Sequence, residues 1–248
     1  MGTVLVTGGA KRLGAAIVRR LAADGWNVVI HYGRSGEEAG RLADEVGAAG
    51  TVGGDLADLQ AIDDLWARAC EVAGGPVDGL VNSASQFEFD RPEAIDLDLA
   101  ARLYAVNCTA PALLAGCLAR QGVGGAVVNL LDQKLANPNP DFFSYTLAKT
   151  ALEGATTLMA QAFAPAVRVN AVSPGLTLAS GDQSPDEFAA AARKNLLGRP
   201  VGAEAVADAV AYLLRAESVI GQNLFVDCGQ RFLKRDGDVM FEGRGAGA

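Results

Sequence analysis

Seven short apolar runs recur from one end of the chain to the other: TVLVT (3–7), NVVIHY (27–32), GTVGGDL (50–56), VDGLVNS (77–83), GAVVNLLD (125–132), VRVNAVSP (167–174) and NLFVD (223–227). Each has the length of a strand and is bounded by Gly, Pro, Asp or Asn. Between them the apolar residues fall into helical periods. Leu13, Ile17 and Leu21 are spaced four apart, and Ile62, Leu65, Trp66 and Ala69 share one face. Leu99, Leu103, Val106, Ala110, Leu113 and Cys117 alternate steps of four and three, as do Val206, Val210 and Leu213. Strands this uniformly apolar must be covered on both faces, and strands that alternate with helices pair in parallel. The pattern therefore predicts an α/β fold, a single-domain doubly wound parallel sheet of about seven strands with helices on both faces, Rossmann-like, over 1–233.

Local signals refine the outline. Ser35 with Glu38 reads as a capping box, and Ser184 followed by Pro185, Asp186 and Glu187 reads as a helix start with proline first and acids in the first turn. Pro111 lies inside the pattern of 98–118 and should kink or interrupt that helix. The polar, Gly/Pro-punctuated stretch 174–200 follows a strand's carboxyl end, where such sheets bind ligands, and is a candidate lid. The Gly-rich tail 234–248 is expected to be loose or to tuck against a neighbouring subunit.

With 29 acidic residues against 21 basic ones, the formal charge of −8 speaks against a nucleic-acid partner or an anionic membrane surface. No apolar run reaches the ~18 residues that would span a bilayer. The start, MGTVLVTGGAKRLG, lacks the early basic residues of a secretory leader, so a cytoplasmic protein is expected. The four cysteines (Cys70, Cys108, Cys117, Cys228) show no metal-binding spacing, and His31 is the only histidine, which leaves neither a zinc cage nor a Ser/His/Asp hydrolase a good fit. The acidic average conceals one positive end: residues 1–42 hold Lys11, Arg12, Arg19, Arg20, Arg34 and Arg41 against Asp24, Glu37 and Glu38.

That end contains a glycine turn, Thr7-Gly8-Gly9-Ala10-Lys11-Arg12-Leu13-Gly14, between the first strand and the first helix. Backbone N–H groups and the positive helix end can there face a pyrophosphate, although a glycine turn can also serve only to reach positive φ. The second strand ends in His31-Tyr32-Gly33-Arg34-Ser35, without the acid that would accept from a ribose 2′-OH. Arg34, Lys11, Arg12 and His31, with the Ser35 hydroxyl, could instead surround a 2′-phosphate, favouring NADPH over NADH. Plainer readings stand beside this one: Arg12 as a surface residue, Ser35 as a cap, His31 as a satisfied histidine at a strand end.

Tyr145 and Lys149 are four apart in SYTLAKTALEG and would project from one helical face. A phenol, with an ordinary pKa of about 10, becomes a useful acid when a neighbouring ammonium favours its anion.

The turn T-G-x-x-x-x-x-G and the Y-x-x-x-K after the fifth strand resemble the short-chain dehydrogenase/reductase family, whose usual turn has a glycine where this chain has Arg12. The resemblance covers nearly the whole chain. It implies a cofactor site of Gly8, Lys11, Arg12, Leu13, His31, Arg34, Ser35, Asp55, Leu56, Asn82, Ala84, Tyr145, Lys149, Pro174 and Gly175, with Asn107 holding water in a proton relay and Lys149 reaching the nicotinamide ribose. Asp55 could equally cap a turn, Asn82 satisfy buried backbone groups, and Asn107 be an ordinary helix-interior residue.

Where the family usually carries serine, thirteen residues before the tyrosine, this chain has Asp132. An ionised carboxylate only accepts hydrogen bonds, so it suits a substrate rich in N–H donors better than a simple ketone, although it could also cap the following loop. Arg12, His31, Arg34, Ser35, Ser85, Phe87 and Asp132 together look like the pteridine reductase branch. That branch implies NADPH-dependent reduction of a dihydropterin or dihydrofolate. Phe87 would stack on the pterin, Ser85 and Arg12 would bind its polar edge, and Asp132 would join Tyr145 and Lys149 in proton delivery. Phe87 could instead be a core residue. Departures from related sequences are Gly33 for a second histidine, Ser83 for asparagine, and Val226-Asp227-Cys228-Gly229 near the end. The family also implies a homotetramer built on the helices around 98–120 and 143–163.

Overall fold

A computed structural model describes residues 2–179 and 183–239. Seven strands, β1 (Thr3–Thr7), β2 (Asn27–Tyr32), β3 (Gly50–Gly53), β4 (Gly79–Asn82), β5 (Gly125–Leu130), β6 (Val167–Pro174) and β7 (Asn223–Val226), form one sheet in the order β3-β2-β1-β4-β5-β6-β7. Every pairing is parallel. The chain begins at the centre of the sheet, winds outward to β3, returns across β1 to β4 and continues to β7. Directions therefore reverse between β1 and β4, where Thr7 pairs with Asn82, and a crevice opens beyond the strand ends.

The helices are α1 (Arg12–Ala23), α2 (Gly36–Val46), α3 (Ile62–Ala73), α4 (Leu97–Tyr104), α5 (Ala110–Arg120), α6 (Phe143–Phe163), α7 (Pro185–Ala191) and α8 (Ala203–Arg215). Ile17 and Leu21 of α1 and Val206, Val210 and Leu213 of α8 share one core with Val4, Val6, Val28 and Val128. On the other face, Ile62, Leu65, Trp66 and Ala69 of α3 and Leu114 and Leu118 of α5 pack on Leu5, Val29, Leu80 and Val127. Alternate residues of β1 thus enter opposite cores, as a period of two requires.

Three local features bear on the sequence expectations, the first of them the interruption that Pro111 predicts. The helix expected through 98–118 is divided into α4 and α5 by a π-helical turn at Ala105–Thr109. Pro111 has no N–H to give the carbonyl of Asn107, and Ala110 N bonds instead to Ala105 O, five residues back. Second, the capping box at Ser35 does not form. Ser35 occupies the N-cap of α2 without a side-chain bond, and Glu38 turns to Lys11, 2.7 Å away. At Ser184 the box is complete: Glu187 N donates to Ser184 Oγ and Ser184 N to the Glu187 carboxylate.

Third, the described part of the tail packs on its own chain. Asn137 Nδ2 donates to Leu233 O at 2.6 Å, Arg235 Nη2 to Lys194 O at 2.7 Å, and Asp238 N to Asp141 Oδ2 at 2.8 Å. Residues 240–248 of the expected tail and 180–182 of the candidate lid lie outside the described residues. No helix among those described is long and apolar enough to cross a membrane.

Candidate active site

The carboxyl ends of β1, β2, β4, β5 and β6 open into a cleft of about 680 Å³. Gly8, Lys11, Arg12, Leu13, His31, Arg34, Asp55, Leu56, Ala84, Ser85, Asp132, Tyr145, Lys149, Pro174 and Gly175, all expected from the sequence, line it. Phe87 lines an adjoining chamber of about 240 Å³ that shares Arg12, Asp132 and Tyr145 with the cleft. Ser35, Asn82 and Asn107 are not among the lining residues.

The glycine turn is shaped by close approach. Gly8 has φ +62°, and a Cβ there would sit 2.8 Å from Ala84 Cα; one on Gly14 would sit 2.2 Å from Gly8 O. Thr7 Oγ1 accepts from Ser83 N and Ala84 N, both at 3.0 Å, and so fastens the β4 loop to the turn across the switch point. Arg12 has φ +53°, the left-handed conformation that glycine adopts without strain. Its guanidinium spans the cleft and donates to Ala179 O at 2.6 Å.

His31 takes the plainer of its two expected places, a satisfied histidine at the end of β2. The imidazole is 2% exposed, Nδ1 accepts from Gly8 N at 3.2 Å, and Nε2 lies 3.1 Å from Gly54 O. Burial pushes its pKa down to about 4, so it is a neutral strut between the loops after β1, β2 and β3. Positive charge at this corner comes from Lys11, Arg12 and Arg34. Asn82 matches the plainer of its expected readings: its side chain donates to the buried backbone carbonyl of Pro111 at 3.2 Å and to Asn129 Oδ1 at 2.8 Å. Asp55 pairs with Arg102 at 3.1 Å, and hydrogen bonding to Ala57 N, followed by that arginine, holds its carboxyl below the ordinary range.

At the other end, Tyr145 enters in the first turn of α6 and Lys149 follows one turn later. Asp132 caps a short 3-10 turn at Gln133–Ala136 by accepting from Lys134 N at 2.9 Å, and its second oxygen accepts from Tyr145 Oη at 2.9 Å. Burial, with Asp132 beside it, raises Tyr145 well above the usual phenol range. Asp132 is itself raised, chiefly by burial. Lys149 is lowered to about 8 by burial, and its Nζ donates to Leu130 O at 2.7 Å.

The phenol expected beside Lys149 is also hydrogen-bonded to the carboxylate of Asp132, with the Lys149 ammonium 5.8 Å from the Tyr145 ring. Such a phenol–carboxylate pair keeps the phenol protonated and poised as a donor. Phe87, 39% exposed, meets Tyr145 edge-on at 4.8 Å and stacks on Phe142 at 3.9 Å, leaving a flat apolar surface beside the pair.

Asn107 acts through the loop it holds. It is completely buried in the π-helical turn, donates to Gln86 O and Leu103 O, and accepts from Ser85 Oγ at 2.8 Å. Three further residues were not foreseen. Buried Asp90 accepts from Ser144 N and Ser144 Oγ at the start of α6. Gln230 Oε1 accepts from Leu176 N just after β6, and a Cβ on Gly175 would meet it at 2.7 Å. Asp238 lines the smaller chamber. None belongs to a periodic pattern or a spaced motif.

The geometry unites a basic corner suited to phosphates with a buried proton donor 13 residues after its carboxylate partner. Comparisons with known proteins place the chain in a family. Residues 8–231 match the family described as enoyl-(acyl carrier protein) reductase. The chain is 32% identical to pteridine reductase 1 of Leishmania tarentolae, over 91% of this chain and 94% of that protein. It is also 35% identical to 3beta-hydroxysteroid dehydrogenase 1 of Eggerthella lenta, over 92% of each. The crystal structure of alternative dihydrofolate reductase 1 from Brucella suis in complex with NADP superposes with a TM-score of 0.90 at 39% identity, covering 94% of this chain and 96% of that one. This chain belongs to the short-chain dehydrogenase/reductase family.

Proposed function

We propose that the protein is an NADPH-dependent reductase of a C=N bond in a dihydropterin or dihydrofolate. The observation that carries this reading is the Asp132–Tyr145 hydrogen bond at 2.9 Å beside the exposed face of Phe87. A flat, N–H-rich heterocycle can stack on the ring and donate to the carboxylate, whereas a simple ketone offers that carboxylate no donor. Similarity to the Leishmania and Brucella reductases supports the same choice.

NADPH would be held in the longer cleft, where the glycine turn would face its pyrophosphate, Asp55, Leu56 and Ala84 its adenine, and Arg34, Lys11 and Ser35 its 2′-phosphate. The Ser35 hydroxyl is not engaged in capping α2, residues 31–35 carry no acid, and Glu38, which pairs with Lys11 at 2.7 Å, would have to yield that lysine to the phosphate. Bound there, the cofactor would supply the hydride that goes to carbon. Tyr145 would break its O–H bond to protonate the ring nitrogen and would recover its proton from solvent, Asp132 would orient the protonated phenol by accepting its hydrogen bond, and Lys149 would hold the nicotinamide ribose and offset the phenolate's charge. Arg12 and Ser85 would face the polar edge of the substrate, and Asn107 would keep Ser85 and Gln86 in place. Pro174 and Gly175 would bound the nicotinamide at the lid root. By family resemblance the enzyme would be a cytoplasmic homotetramer.

The similarity to a steroid dehydrogenase supports a second reading, an NADPH-dependent carbonyl reductase. NADPH oxidation measured across dihydropterins, dihydrofolate and simple ketones separates the two. The proposal expects dihydropterin to be far the better substrate, Tyr145→Phe to remove most activity, and Asp132→Ser to depress pterin turnover while improving ketone turnover. No turnover of any pterin or dihydrofolate overturns it.

A further inference from the structure

The helix that carries Tyr145 and Lys149 begins without a cap of its own. Phe142 stands at the N-cap of α6 with φ +53° and no side-chain bond, and the first turn holds no acid. The N–H groups at such an end need acceptors, above all in a buried place. Asp90 supplies them from a loop 54 positions earlier in the chain. Its main-chain carbonyl accepts from Phe143 N at 3.3 Å, and its carboxylate accepts from Ser144 N at 3.0 and 3.2 Å and from Ser144 Oγ. Asp90 and Ser144 are both buried. A carboxylate there also meets the positive end of the helix.

The loop that ends in Asp90 carries the exposed ring of the site. Asn107 fastens the loop at Ser85 and Gln86, Asp90 fastens it to α6, and Phe87 lies between the two attachments. Phe87 stacks on Phe142 at 3.9 Å and meets Tyr145 edge-on at 4.8 Å, while Phe89 meets Phe142 edge-on at 5.3 Å. Ring contacts of this kind tolerate sliding, whereas hydrogen bonds to a carboxylate fix direction as well as distance. The cap is therefore also a register between the loop and the helix.

We infer that Asp90 is a positioning residue: it supplies from the loop the cap that α6 lacks, and so holds the face of Phe87 and the hydroxyl of Tyr145 at a fixed separation. This rests on the roles proposed above for Phe87 as stacking ring and Tyr145 as proton donor, and not on which flat substrate is reduced. A substrate lying on Phe87 then presents its heteroatom to the phenol without rearrangement of either element.

The test is a double-mutant cycle of Asp90→Ala with Phe87→Ala, read as kcat/KM for NADPH oxidation with the best substrate among dihydropterins, dihydrofolate and ketones. Asp90→Ala should lower kcat/KM about tenfold or more, the scale of a misplaced reacting group, and in the Phe87→Ala background it should cost about threefold or less. Asp90→Asn keeps an acceptor for Ser144 N without the charge; it should lose less in the same direction, and it replaces alanine in the cycle if that variant does not fold. Asp96→Ala removes the side-chain cap of α4, which accepts from Asp98 N at 2.9 Å and Leu99 N at 3.0 Å, and should lower the melting temperature while leaving kcat/KM nearly unchanged. In the protein without substrate, Asp90→Ala or Asp90→Asn should accelerate amide hydrogen exchange in 85–90 and 143–146 together. Unchanged kcat/KM, equal fold-losses in the two backgrounds, or acceleration confined to 143–146 overturns the inference. Coupled losses seen with a ketone alone leave the inference standing and remove the proposed pterin or dihydrofolate substrate. Pterin turnover with equal losses in the two backgrounds does the reverse. If no substrate turns over, the proposed function falls and the exchange measurement decides the inference.

Discussion

His31 is the only imidazole in the chain, so its ionisation can be followed without assignment. The neutral Nε2–H tautomer satisfies both its partners, accepting from Gly8 N and donating to Gly54 O. Protonation would turn Nδ1 into a donor facing another donor, within a buried site. Burial accordingly lowers the pKa from 6.5 to about 4. The folded protein binds this proton less readily than the unfolded chain, so its contribution is complete above pH 6.5 and is lost as pH falls towards 4. At about 1.4 kcal/mol per pH unit the full loss is about 3 kcal/mol, of which about 2 kcal/mol has gone by pH 5.

Urea denaturation of wild type and His31→Gln at pH 7 and pH 5 isolates this amount, because carboxylates that titrate in the same range are common to both proteins. Wild type should lose about 2 kcal/mol more than the variant over that interval. In the folded protein the imidazole proton resonance should stay unchanged from pH 7 to 5.5. A titration midpoint near 6.5, or parallel acid losses in the two proteins, would refute the strut. Because His31 bonds directly to Gly8, NADPH affinity should weaken only as the folded-state titration begins, below about pH 5.

The remaining expectations concern the cleft. With Tyr145 raised far above the usual phenol range and Lys149 lowered to about 8, loss of the ammonium should set the alkaline limit: kcat/KM for the reduction should decline above about pH 8. A Lys149→Arg variant that remains active should move that limit upward in a pH–rate profile. Arg34→Ala should reduce the ratio of NADPH to NADH efficiency by about tenfold, the loss of a charge-assisted phosphate contact, while leaving the NADH rate nearly unchanged. Gly8→Ala combines φ +62° with a 2.8 Å approach to Ala84 Cα, so its melting temperature should fall with a stability loss of about 2 kcal/mol or more and NADPH binding should weaken.

The framework was legible because its signals are repetitive. Alternating strand and helix periods specified seven parallel strands, and Pro111 marked the place where one helical pattern had to be interrupted. The Tyr145–Lys149 spacing placed two functional side chains on one face without any tertiary information. What escaped depended on contacts between distant segments. Nothing adjacent to His31 announces Gly8 N and Gly54 O as its partners, and Ser35–Glu38 has the spacing of a box that Lys11 pre-empts across the α1–α2 boundary. Asn82 has the residue type of a ligand but faces Asn129, 47 positions away. Asp238 lies in a Gly-rich segment expected to be loose or tucked against a neighbouring subunit, yet Asp141, Lys134 and Lys194, scattered through the chain, contact that segment.

Two of the departures from the family's usual motifs, Arg12 and Asp132, have a common physical character. Arg12 replaces a glycine at φ +53°, accepting roughly 1–2 kcal/mol of backbone strain that glycine would avoid. Asp132 places a carboxylate against a buried phenol, where serine would create no like-charge problem with Asp238. Each sets a charged group among the residues that line the cleft, a guanidinium at one end and a carboxylate at the other. Local strain at such positions persists when the surrounding structure enforces it. Arg12→Gly should therefore relieve the backbone but abolish the guanidinium bond to Ala179, loosening the lid while removing positive charge from the cofactor's end. Asp132→Ser should relieve the carboxylate crowding at the substrate's end. If each variant proves at least as stable as wild type yet a poorer pterin reductase, stability has been exchanged at both ends for the same thing, a cleft whose charges are complementary to a phosphate on one side and to N–H donors on the other.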